Sequence, residues 1–162
     1  MRRGYGNHKR FCQDAIKIED AEVKGRTYRL GGKHGYPVLT VPEQAIIAKG
    51  TDNLGLDMYR EHKASELMLA YSDDNTDDWN VVRGELITLD RPWLSLPPID
   101  TLEGFYPDYP NYCLYKRVLV PVFLVSAGLY KPAWCYIAGD LIELPNKEKA
   151  PLFALERIES QC

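Results

Sequence analysis

Two apolar runs, Tyr115 to Val125 and Leu129 or Tyr130 to Ile137, are separated only by Ser126-Ala127-Gly128. A connection that short turns the chain back on itself, so the two runs predict an antiparallel hairpin. Pro121 falls inside the first run and has no N–H to give to a ladder, which predicts a sheet edge or a bulge there. Val81 to Leu89 predicts another strand, stopped by Asp90-Arg91-Pro92. Lys24 to Leu30 alternates and carries Thr and Tyr, so it reads as a strand; Gly31 to Gly35 then punctuates it as a turn, and Tyr36 to Val41 resumes extended structure.

Helical signals are fewer. Asp57 to Tyr71 is rich in helix formers, with Ala64, Leu67, Met68 and Tyr71 spaced to share an inward face. Pro151 to Ser160 predicts a short helix with proline in its first turn and Leu152, Leu155 and Ile158 inward. Asp14 to Ala21 predicts another short helix. The acidic stretch 72–78 lacks the ligand spacing and glycine of a calcium loop and reads as solvated. The segment Phe105 to Tyr112, with two prolines and three tyrosines, reads as a loop. The expected class is therefore α+β, strand-dominated, with one core. At 162 residues, with no internal repeat or linker, the expectation is a single domain over 1–162.

Charge narrows the function classes. Twenty Lys+Arg against 23 Asp+Glu give a formal charge of −3 and a pI near 5.6, without the basic stripe that phosphate neutralisation requires. No nucleic-acid partner is expected. The longest apolar stretch, Val118 to Val125, is far short of the roughly 20 residues of a spanning helix. Met1-Arg2-Arg3-Gly4 has no apolar secretory core, so the expectation is a soluble, cytoplasmic chain with no membrane partner. Cys12, Cys113, Cys135 and Cys162 form no C-x-x-C pair, and His8, His34 and His62 are isolated. Reduced thiols and no metal site are expected.

No nucleophile elbow, Walker loop or dinucleotide-binding glycine pattern occurs. Carboxylates remain, most of them in charged, solvated stretches such as those of Glu143, Glu148 and Glu159. Glu103 differs: it follows Ile99 and Leu102 and precedes Gly104-Phe105-Tyr106, a setting that disfavours the charged form and raises the pKa toward proton-transfer use. A helix-terminal glutamate capping a backbone amide is the alternative from local context.

The order of motifs carries a resemblance. Gly4-Tyr5-Gly6-Asn7-His8, Gly35-Tyr36-Pro37-Val38, Val82-Arg83-Gly84-Glu85-Leu86, Ile99-Asp100-Thr101-Leu102-Glu103-Gly104, Tyr115-Lys116-Arg117 and Ala133-Trp134-Cys135-Tyr136 follow one another as in the gamma-glutamylcyclotransferase-like family. The chain most resembles its gamma-glutamylamine cyclotransferase branch, with 43–80 as an insertion relative to the usual pattern. The resemblance implies a small mixed β-barrel with flanking helices and a cleft holding Glu103 as general acid/base. It implies a small-molecule γ-glutamyl amine or amino acid as substrate, cyclised to 5-oxoproline with release of the amine, and no cofactor. It places Tyr115 and Arg117 at the barrel mouth. There Tyr115 is expected to bind substrate together with Gly4, Tyr5, Gly6 and Asn7, while Arg117 is expected to be a surface charge. Trp134 and Tyr136 are expected to be core or cleft wall, Asp100 to brace the turn at Glu103, and Asn7 and His8 to cap the following segment. The residues that select the amine are expected in 43–80 and 105–112.

One part of the family pattern has no counterpart here: the first strand with its Tyr-Gly-Thr/Ser-Leu loop, which supplies backbone donors to substrate. Three explanations stay open. Either the natural start lies upstream of Met1, or the chain is a paralogue without turnover that fills the gap with a segment of its own, or a partner or second copy donates a strand, giving a homodimer through an open barrel edge. The corresponding alternative to an enzyme is a catalytically inactive barrel that binds a small molecule or a protein.

Overall fold

The computed structural model describes residues 13–29, 36–68, 71 and 79–142, and the backbone of 156–157. The architecture is α+β. Its strands are β1 (Ala15–Arg29), β2 (Pro37–Thr40), β3 (Ala48–Lys49), β4 (Asn80–Leu89), β5 (Tyr115–Leu124), β6 (Leu129–Ala138) and β7 (Glu156–Arg157). Its helices are α1 (Leu54–Met68) and α2 (Pro92–Glu103), with 3-10 turns at Glu43–Ala45 and Pro110–Tyr112.

The expected hairpin forms, with β5 in the interior of the sheet and β6 on its outer side. β5 and β6 pair without interruption from Tyr115↔Ala138 to Leu124↔Leu129, and Gly128 takes the left-handed φ of 63° in the turn between them. Nearly every residue of β5 is buried, because β6 flanks one edge while β3 and β1 share the other. Val118, Val120, Val122, Val41 and Ala133 form the main core cluster. Pro121 is thus in an interior strand, with no bulge, contrary to the sequence expectation. The carbonyls of Arg117 and Leu119 accept from Gly50 N–H (2.7 Å) and Ile47 N–H (2.8 Å), on the side away from β6. By strand parity the Pro121 nitrogen faces that side too, opposite Pro132 and between the points where β3 and β1 attach, so no ladder donor is lost.

β1 begins nine residues earlier than the alternation at Lys24 suggests, and the helix expected over Asp14 to Ala21 is instead its first half. Long-range pairing decides this: β4 matches β1 from Ala15↔Leu89 to Gly25↔Asn80, supplying ladder partners that local propensity cannot reveal. The Asp14 carboxylate pins the start of the strand by accepting from Ser95 Oγ (2.6 Å) and Arg91 N–H (3.3 Å). From Arg26 to Arg29 the partner is β2. The helix expected over Pro151 to Ser160 is also corrected where it is described: residues 156–157 form β7, paired with Arg29 and Tyr28. The turn at Gly31 to Gly35 and the acidic stretch 72–78 lie outside the described residues.

All the strand pairings are antiparallel. Among the described residues β4 pairs only with β1 and β6 only with β5, so the sheet is not closed on itself. α1 packs on β6 with Asp57 and Ala64 buried, whereas Leu67, expected inward, is 71% exposed. Tyr71 lies just beyond the helix, its ring edge-on to Tyr130. No described helix is long and apolar enough to cross a membrane.

Candidate active site

Glu103 is the last residue of α2, and the sequence shows why the helix stops there. Gly104 adopts φ 63°, ψ 39°, a conformation cheap only for glycine, and its N–H caps toward Asp100 O and Thr101 O. Phe105 N–H then donates to Asp100 O (2.9 Å), and Leu114 N–H donates to Gly104 O (3.0 Å), stitching the helix end to the start of β5. Asp100 therefore braces this turn as expected, through its carbonyl. Pro97 and Pro98 lie within α2 and mask it in the sequence. Thr101 Oγ1 donates to Pro97 O at 3.0 Å within the same helix.

Glu103 is half-buried, and this burial raises its carboxyl pKa above the ordinary value of 4.5. Its place at a helix C-terminus acts in the same direction. Tyr115, the first residue of β5, is close enough for the Glu103 charge to be felt: burial first, and then Glu103, push the phenol up to about 12. The Tyr115 hydroxyl donates to Pro37 O at 3.1 Å, so its one proton ties β2 to β5. Gly4, Tyr5, Gly6, Asn7 and His8 lie outside the described residues.

Arg117, two residues along β5, is no surface charge. Its side chain is 0% exposed, and this corrects the sequence expectation. Nη1 donates to Asp100 Oδ2 at 2.5 Å, and Nη2 donates to Asp57 Oδ2 at 2.7 Å and to Thr51 O at 3.0 Å. Asp57 also accepts from Thr51 N–H (2.8 Å) and Thr51 Oγ1 (3.0 Å), while Tyr136 Oη donates to Asp100 Oδ1 at 2.6 Å. The guanidinium lies near the rings of Phe105 (5.1 Å) and Trp134 (5.5 Å), and Nε has no hydrogen-bond partner among the described residues. One buried cation thus joins α1, α2, β5 and β6. Its driving force was invisible in sequence because Asp57 and Asp100 lie 60 and 17 residues away. The available hint was that Asp57 precedes Ala64 by two helical turns and so shares its inward face.

Three described carboxyls have raised pKa values, each chiefly through burial: Glu61, Asp100 and Glu103. Glu61 is hydrogen-bonded to Trp134, and Asp100 to Tyr136 and Arg117. Glu103 alone of the three makes no hydrogen bond or ion pair among the described residues. Trp134 and Tyr136 are half-buried and carry the bonds to Glu61 and Asp100, but neither lines the cleft described next.

A cleft of about 250 Å³ opens between the start of α1 (Thr51, Asp52, Leu54) and α2 with its following loop (Pro97, Asp100, residues 105–109). Both segments expected to select the amine contribute to it. Glu103 and Tyr115 do not line it; Asp100, one helical turn before Glu103, does. Cys113 holds the loop in shape by bridging Tyr106 N–H and Tyr106 O, each at 3.2 Å from Sγ. No cluster of three or more His, Cys, Asp or Glu suited to a metal ion occurs among the described residues. No family model matches the chain, and neither curated proteins nor solved structures provide a match.

Proposed function

We propose that the chain is a gamma-glutamylcyclotransferase-like enzyme that converts the γ-glutamyl group of an amine or amino acid conjugate to 5-oxoproline. The observation that carries this reading is Glu103: a half-buried carboxyl of raised pKa with no described partner, at the end of the Asp-x-x-Glu-Gly segment. In the proposed reaction its carboxylate takes a proton from the substrate α-amine. The amine nitrogen attacks the γ-carbonyl carbon, and the tetrahedral adduct collapses with cleavage of the C–N bond. The carboxyl returns the proton to the leaving amine. Both reacting atoms belong to one molecule, so holding the productive rotamer supplies much of the acceleration. One group that serves first as base and then as acid suffices, with no cofactor. This reading carries with it a closed barrel, in which the outer edges of β4 and β6 are bridged.

The test is 5-oxoproline release from a panel of γ-glutamyl amines by the purified chain and by Glu103→Gln, with circular dichroism to confirm folding. The variant is expected to lose turnover by about a hundredfold or more, the scale of general-base removal. Full turnover in Glu103→Gln would overturn the assignment. A second reading, a binding module without turnover, draws on the cleft that Glu103 does not line; cleft ligands bound without 5-oxoproline formation would favour it.

A further inference from the structure

The last turn of α2 is held to the sheet through Asp100, and Asp100 is held by an arginine whose other carboxylate comes from a different helix. We propose that Asp57 of α1, acting through Arg117 and Asp100, is a positioning residue for Glu103. The inference rests on the reading of Glu103 given above. Among the described residues Glu103 makes no hydrogen bond, and what they contribute to its placement is the backbone of residues 100–105. Among the described residues that segment is tied to the sheet side by Gly104 O accepting from Leu114 N–H, just before β5, and by the Asp100 carboxylate accepting from Arg117 and Tyr136.

Arg117 is itself held by groups other than Asp100. Its guanidinium plane is set by three acceptors, of which Asp57 Oδ2 and Thr51 O share Nη2. Asp57 is in turn oriented by both the N–H and the hydroxyl of Thr51. Gly50 is the adjoining requirement, because a Cβ there would lie 2.8 Å from Arg117 Nε. Segment 50–57 therefore forms the far wall of a socket whose near wall is the helix end bearing Glu103. The 43–80 segment would then contribute to catalysis by fixing the angle of the acid/base group, without contact to the reacting atoms. Misplacement of a catalytic group by about 1 Å costs up to about a hundredfold in rate, so the effect is expected in kcat.

The experiment compares wild type, Asp57→Asn and Glu103→Gln for kcat and KM on a γ-glutamyl amine, and follows amide hydrogen exchange at Gly104 and Phe105. Asp57→Asn keeps the shape but removes the charge that fixes Arg117. The expected result is a kcat lowered by about tenfold or more with KM changed less than about twofold, and faster exchange at both amides. Tyr136→Phe, which removes one hydrogen bond to Asp100 and leaves both Arg117 pairs, serves if Asp57→Asn does not fold; the same kcat-only signature is expected at smaller size. If Glu103→Gln is inactive while the folded Asp57→Asn keeps wild-type kcat, the positioning role is refuted and the reading of Glu103 stands. If Glu103→Gln is active, or wild type forms no 5-oxoproline, that reading falls. Amide exchange then decides the coupling separately: unchanged Gly104 and Phe105 exchange in Asp57→Asn refutes it.

Discussion

Replacing Arg117 by methionine, similar in length but uncharged, tests the internal logic of the fold most sharply. The wild-type side chain is wholly buried and makes three hydrogen bonds, to Asp100, Asp57 and Thr51 O. Methionine would leave Asp57 with its Thr51 bonds and with Arg60 3.6 Å away, but Asp100, bonded to Tyr136, would face a desolvated space without a cation. Breaking a buried pair from one side costs about 3–5 kcal/mol, because an uncompensated charge remains. Against a total stability of about 5–15 kcal/mol, that is a large fraction. For a chain of this size it corresponds to about 6–20 °C in Tm.

The loss has a pH signature. Burial already raises the Asp100 carboxyl, opposed by Tyr136 and Arg117; without Arg117 it rises further. The folded variant then keeps a proton that the unfolded chain releases, so its stability increases as pH falls through the folded pKa. The deficit relative to wild type should narrow between pH 7 and pH 5. Urea unfolding followed by circular dichroism at both values measures it. A loss below about 1 kcal/mol, the scale of an exposed ion pair, or a deficit that widens toward pH 5 would refute the reasoning.

The remaining predictions are simpler. The acidic limb of kcat/KM should lie above the ordinary glutamate value of 4.5, because burial raises Glu103 and the ionised form is the base; a limb at or below 4.5 contradicts this. The same raised pKa means that Glu103 contributes stability below its unfolded pKa that is lost as pH rises through the folded one. Glu103→Gln should therefore be no less stable than wild type at pH 7, as thermal melts would show. Leu119→Ala, at a fully buried core position, should cost about 2–5 kcal/mol in denaturant titrations. Gly139→Ala would bring a Cβ to 2.2 Å from Cys113 O and 2.7 Å from Leu114 O, both backbone atoms, and should cost at least about 1–3 kcal/mol through overpacking.

The α+β class, the β5–β6 hairpin, strands β2 and β4, helix α1 and the distinctive setting of Glu103 were all legible in the sequence. Each rests on a local signal: alternation, a three-residue turn, helical spacing or an apolar flank around one carboxylate. The first half of β1 misled because its backbone is satisfied by β4, far along the chain, and α2 was hidden by Pro97 and Pro98. Arg117 misled most. A lone arginine on a strand is ordinarily solvated, and it becomes a buried hub only because folding brings Asp57 and Asp100 to the same point. Chemistry that one residue and its neighbours can specify was determined by sequence. Tertiary structure alone decided which charges are desolvated together, because that depends on distances between elements that no local pattern encodes.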